Sequence, residues 1–181
     1  MKKWTTRSSE YVYQSNFGHL RKDECELPNS LLIQDYYVNE YADWVNAVVL
    51  TRDYQIVLVK QYRYAAEDFF LEVPAGKPEQ DETLEEGILR EICEETGYAS
   101  NTLPIKLGEF FVNPATQTNK VATFLITDAY YASDQQLDDT EEIEVVLFDF
   151  DEFEKLLQEN HINTQLFTVT AYYLAKSRLG R

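Results

Sequence analysis

The stretch from Thr83 to Thr96 constrains this chain more than any other, because it reads as a helix and carries more carboxylates than a helix needs. Leu84, Ile88 and Ile92 recur every fourth residue, and Leu89 and Cys93 widen the apolar stripe, which is the period of an amphipathic helix. Thr83 and Glu86 have the spacing of a capping box, and Gly97 suits the position just past the helix end. Gly87, costly inside a helix relative to alanine, marks a close approach of backbone or ligand. Glu91, Glu94 and Glu95 stand at i, i+3 and i+4 and so share one face. Like charges at that spacing cost roughly a few tenths of a kcal/mol per pair. A divalent cation would convert that repulsion into affinity, since hard metals take oxygen ligands from carboxylates and phosphates together. Without one, the same acids are only a solvated face.

Around this helix the pattern is mostly of strands. Residues 8–40 alternate apolar and polar with interleaved aromatics, broken by turn signals at Asn16–Gly18 and Pro28–Ser30, and predict a first antiparallel sheet. Val45–Thr51 and Gln55–Tyr62 flank an Arg52-Asp53 turn, and Phe69–Val73 forms a short strand ended by Pro74-Ala75-Gly76. Strands are expected again at Ile105–Val112, Lys120–Ala129 and Ile143–Asp149. Helices are expected from about Asp151 to Glu159 and from about Asn163 to Ser177. Strands dominate the first two-thirds of the chain and helices finish it, which favours an α+β or layered α/β/α domain.

Reading outward from the helix gives Gly76, five residues, Glu82, seven residues, then Arg90-Glu91-Ile92-Cys93-Glu94-Glu95-Thr96-Gly97-Tyr98. This resembles the signature of the Nudix hydrolase family, and every fixed position of that signature is matched. The resemblance implies an α+β fold: an α/β/α sandwich with a mixed central sheet over 43–181, and an N-terminal antiparallel extension, residues 1–42, that serves dimerisation. It also implies that Ala75, through its carbonyl, and Glu91 and Glu95 hold Mg2+, with Mn2+ as a substitute. Glu94 stands beside them as a catalytic group. Arg90 is a further catalytic candidate, and with Glu82 it can pair to hold the loop's shape. Glu95 is expected to face solvent and metal, so that its replacement leaves folding nearly intact.

Residues outside the signature resemble the ADP-ribose pyrophosphatase and nucleoside diphosphate sugar hydrolase branch of that family. Leu71-Glu72-Val73-Pro74-Ala75-Gly76 looks like the strand that leads into the motif there. Gln61-Tyr62-Arg63 looks like the segment in which an arginine reaches substrate phosphate. Physically, a guanidinium suits phosphate oxygens, although Arg63 equally fits a surface ion pair. Pro114, sixteen positions after Tyr98, stands where ADP-ribose-type members carry a proline that contacts substrate. Its neighbours, Asn113 and Ala115, depart from the usual serine and glycine and leave the sugar open. In the acidic run 138–144, Glu141 or Glu142 is the candidate general base, because a carboxylate near the attacking water can take its proton.

The formal net charge of −16 opposes binding to nucleic acid or an anionic membrane surface. It leaves room for a small nucleoside diphosphate sugar held by local arginines and metal. Two cysteines make no disulfide framework, and His19 and His161 alone make no histidine zinc site. With no signal-like or membrane-length apolar run, a cytoplasmic enzyme is the natural reading. Thirteen tyrosines fit strands and interfaces, although Tyr11 or Tyr13 is a candidate to stack on a nucleobase. The resemblance further implies a homodimer that exchanges N-terminal strands. The rival is a non-catalytic nucleotide-sugar sensor on the same fold, but such proteins usually lack a signature glutamate, and this chain keeps them all.

Overall fold

A computed structural model describes all 181 residues. They divide into two compact units, Met1–Asp43 with Phe110–Val121, and Trp44–Glu109 with Ala122–Arg181. The first unit is a three-stranded antiparallel sheet in the order β1 (Thr5–Ser15), β2 (Gly18–Glu26), β3 (Leu32–Glu40). It also takes in the segment 110–121, which lies outside the 1–42 span expected from sequence. Backbone hydrogen bonds explain the addition. Asn39 N–H donates to the Thr116 carbonyl (2.8 Å), Thr118 N–H donates to the Asn39 carbonyl (3.2 Å), and Lys120 N–H donates to Asp43 (2.7 Å). Within the sheet, buried Asp23 accepts from Arg21, which also pairs with Glu40.

The second unit is built on an eight-stranded sheet whose main path runs β11-β5-β4-β10-β8. Its strands are β4 (Trp44–Thr51), β5 (Gln55–Arg63), β6 (Asp68–Glu72), β7 (Ala75–Gly76), β8 (Tyr98–Ala99), β9 (Ile105–Phe111), β10 (Lys120–Tyr131) and β11 (Ile143–Asp149). The strands β6, β7 and β9 pair with β5, β4 and β10, and β9 and β10 each contribute residues to both units. The helices are α1 (Leu84–Thr96), α2 (Phe150–Gln158) and α3 (Leu166–Leu179).

The alternation of β4 and β5 sorts the interior into two clusters. Val48, Leu50, Ile56 and Leu58 pack with Phe150, Phe153, Ala171 and Tyr172 of α2 and α3. Val45, Ala47, Val49 and Val57 pack with Ile88 and Ile92 of α1. Burial on both faces is why β4 reads as a near-continuous apolar run. The α+β class expected from sequence therefore holds, with helices covering the two faces of the central strands.

The starts of α2 and α3 differ from the sequence expectation. Helix α2 begins at Phe150 because Asp149 caps it, accepting from the N–H groups of Asp151 (2.9 Å) and Glu152 (3.1 Å). Helix α3 begins at Leu166 rather than Asn163 because the preceding residues are bonded to β6. The Asn163 carbonyl accepts from Leu71 N–H (2.9 Å), and Thr164 Oγ1 donates to the Leu71 carbonyl (2.6 Å). The two-residue strands β7 and β8 carry no periodicity to be read.

Candidate active site

The site starts from how α1 is held. Its capping box is complete: Thr83 Oγ1 accepts from Glu86 N–H (3.2 Å), and the Glu86 carboxylate accepts from Thr83 N–H (2.9 Å). At the other end Gly97 adopts φ 71°, and its N–H donates to the Cys93 carbonyl (2.8 Å). A Cβ at Gly97 would stand 2.1 Å from the Ser133 carbonyl oxygen, so only glycine admits the loop after β10. That loop is tied to the helix end by Ala132 N–H and Ser133 N–H, which donate to the Gly97 carbonyl at 2.8 and 3.1 Å.

Arg90 is the hub of the loop before α1. It donates to Glu82 (2.9 and 3.1 Å), Glu91 (3.0 Å), Glu94 (2.8 Å) and the Lys77 carbonyl (3.1 Å). The Glu82 carboxylate stabilises the Arg90 cation above all, and Arg90 in turn lowers the Glu82 pKa. The arginine thus holds the loop and orients two acids of the helix face.

Glycine 76 is the counterpart on the strand side. A Cβ there would lie 2.0 Å from the Glu91 carboxyl carbon, so the missing side chain is what lets that carboxylate rest against the backbone. Ala75 N–H donates to Glu95 (3.0 Å), which brings the second acid to the same two-residue strand. Glu95 is only 6% exposed, which corrects the expectation that it faces solvent: the sheet covers it from one side and the loop after β10 from the other. Its pKa is raised to about 8: burial is the main cause, the Ala75 N–H opposes it, the charges of Glu91 and Glu141 add to it, and Arg63 works against it. Glu91 is raised as well, again by burial first, against the pull of Arg90.

The remaining predicted residues fall as follows. Glu94 shares Arg90 with Glu91. The charge of Glu141 acts on both Glu91 and Glu95, and its carboxylate accepts from Asp138 N–H (3.1 Å). Glu142 is the next residue, exposed at the entry to β11. Arg63 ends β5 and forms a two-point pair with Glu72 on β6: Nε to Oε1 at 2.9 Å and Nη2 to Oε2 at 2.5 Å. Pro114 belongs to the first unit, in a turn where Thr116 N–H and Gln117 N–H donate to the Asn113 carbonyl at 3.0 and 2.8 Å.

Three participants escaped the sequence reading. Glu72 is 3% exposed, and its signal was available as a charged residue inside the apolar run Leu71-Glu72-Val73. Gln135 donates to the carbonyls of Glu95 (2.6 Å) and Ile143 (3.2 Å), and Gln136 N–H donates to the Glu94 carbonyl (2.9 Å). Nothing local marks either glutamine.

No three acidic, histidine or cysteine side chains form a ready metal cage, and Arg90 engages Glu91 and Glu94. The donor set nevertheless fits a hard divalent cation. Two carboxylates that resist ionisation sit beside two further acids, and each would be relieved by positive charge from outside the protein.

A two-residue strand that admits a carboxylate, a capped acidic helix and an arginine-pinned loop together define a Nudix-type site. A NUDIX domain family model matches residues 41–168, so the chain belongs to that family; it is a Nudix pyrophosphohydrolase. Residues 4–39 match a second family, the nucleoside diphosphate sugar hydrolase N-terminal domain. Among similar proteins, the ADP-ribose pyrophosphatase of Bacillus subtilis (strain 168) is 29% identical over 87% of this chain and 84% of its own length. The methanol dehydrogenase activator of Bacillus methanolicus is 26% identical over 93% of this chain and 91% of its own. A crystal structure of an ADP compounds hydrolase superposes with a TM-score of 0.85 at 21% identity, covering 99% and 96% of the two chains, and shares the fold. Neither cysteine forms a disulfide, and no helix is long and apolar enough to cross a membrane.

Proposed function

We propose that the chain hydrolyses the pyrophosphate bond of ADP-ribose or a related nucleoside diphosphate sugar, giving a nucleoside monophosphate and a sugar phosphate. The observation that carries this is the pair of half-buried Glu91 and buried Glu95 against β7, with Glu94 and Glu141 beside them. So many acids in a half-dry site make chemical sense when cation and diphosphate arrive together. The similarity to an ADP-ribose pyrophosphatase, and the match of residues 4–39, support the substrate class.

Glu91, Glu95 and the Ala75 carbonyl would hold Mg2+, or Mn2+ in its place. When bound, the metal would neutralise phosphate charge and acidify the attacking water. The chain's own residues do the rest. Arg90 keeps Glu91 and Glu94 from swinging into solvent and ties them to the loop through Glu82. Arg63 takes phosphate oxygens. Glu141 takes the proton of the attacking water, preferred over Glu142 because its charge already acts on the buried acids. Pro114 is the proposed residue for substrate choice. The N-terminal unit pairs with a second copy of itself to make a homodimer, presenting Tyr11, Val12 and Tyr13 on β1.

A substrate panel with Mg2+ tests the reading: ADP-ribose, ADP-glucose, GDP-mannose, UDP-glucose, NADH, Ap4A and nucleoside triphosphates, with released phosphate esters measured. A nucleoside diphosphate sugar should be cleaved with the highest kcat/KM, and chelator should abolish turnover. Preference for triphosphates or Ap4A, or full activity in chelator, would overturn it.

A further inference from the structure

We infer that Glu72 is a positioning residue for substrate diphosphate, acting through Arg63. The inference rests on the function proposed above and deepens it. Glu72 grips Arg63 along one edge, through Nε and Nη2. A guanidinium carries five N–H donors in a rigid plane, and this grip occupies two of them. The other edge, formed by Nη1 and the second hydrogen of Nη2, keeps two parallel N–H groups, the fork that matches two oxygens of a phosphate. The Arg63 side chain remains 36% exposed while the Glu72 side chain is 4% exposed. The carboxylate is therefore the fixed end of the pair and the free edge of the guanidinium is the accessible one.

The frame is rigid. Glu72 lies opposite Val59 across the β5–β6 ladder and Arg63 lies opposite Asp68, so the two strands set where the guanidinium plane stands. The charge of Arg63 also acts on Glu95, which places it at the acid cluster and not at a remote surface. Glu72 has a second consequence. Its negative charge balances Arg63 without covering the outward fork, so the arginine stays docked before substrate arrives and no rotamer search accompanies binding.

The test is a KM-against-kcat comparison on the best nucleoside diphosphate sugar. Glu72→Gln keeps the size but replaces one oxygen by an amide that faces Nη2. Glu72→Asp keeps the charge and draws the grip back by one methylene. Both are expected to raise KM about tenfold, the loss of one well-aimed charged hydrogen bond, with kcat within about threefold. In an Arg63→Ala background the Glu72→Gln change should add no further rise in KM. A KM within twofold of wild type in both single variants would overturn the inference, as would a rise that persists in the Arg63→Ala background or a fall in kcat alone. A wild-type protein that cleaves no nucleoside diphosphate sugar would instead sink the function on which the inference rests. Arg63→Ala leaves Glu72 buried without its partner. If that variant fails to fold, the contrast between Glu72→Asp and Glu72→Gln decides: KM must rise in the charge-preserving variant too.

Discussion

Glu95 shows how much a single residue can report. Its folded pKa of about 8 lies above the ordinary glutamate value, so the fold prefers it protonated. Its contribution to stability is fully present below the unfolded pKa and is lost as pH rises towards 8, on the order of a few kcal/mol across that window. Chelator-treated wild type should therefore show a Tm that falls between pH 5 and pH 8.5. Glu95→Gln should flatten most of that slope, because the amide is neutral throughout. The same variant should lose about 100-fold or more in kcat/KM with Mg2+ present. Thermal melts across pH, with and without metal, check both points, and an unchanged slope in the variant would show that the acid is ionised at low cost. Sequence alone placed Glu91, Glu94 and Glu95 together because i, i+3 and i+4 is a local rule. It missed the burial of Glu95, since what covers it is a strand twenty residues earlier and a loop forty residues later.

At the scale of elements, α1 is a part held at both ends. Its start was legible: Thr83 and Glu86 make the capping box their spacing announces. Its end was legible only in part. Gly97 was expected as a C-cap, but its contact with Ser133 joins residues far apart in sequence. Gly97→Ala combines an unfavourable φ with a clash against a carbonyl, and should cost roughly 1–3 kcal/mol. It should also lower activity with every site acid intact, because the displaced loop carries Gln135, which donates to the Glu95 carbonyl. Urea denaturation alongside steady-state kinetics measures both, and a variant that keeps stability and activity would remove this cap from the account. The same contrast explains the late start of α3. Nothing in Asn163-Thr164-Gln165 forbids a helix, but Leu71 claims the Asn163 carbonyl first.

For the whole molecule, the N-terminal unit leaves a question of surface. Strand β1 runs for eleven residues at the edge of its sheet and is exposed almost throughout, with Tyr11, Val12 and Tyr13 in its second half and Phe17 in the turn beyond. A long uncovered edge invites pairing with any other strand, and proteins rarely leave one open. The net charge of −16 turns away polyanions, but it does not stop a self-complementary patch from closing once apolar area is buried. A second copy seated on β1 would cover the edge, and a stable interface of this kind buries about 1,600 Å2. Light scattering after size exclusion at micromolar concentration should then give about twice the 21.2 kDa of one chain. Val12→Glu with Tyr13→Glu, two like charges on each copy at the proposed seam, should shift the mass to that of a monomer while the second unit keeps its fold. A wild-type mass of one chain, or a dimer indifferent to those charges, would place the cover for β1 elsewhere.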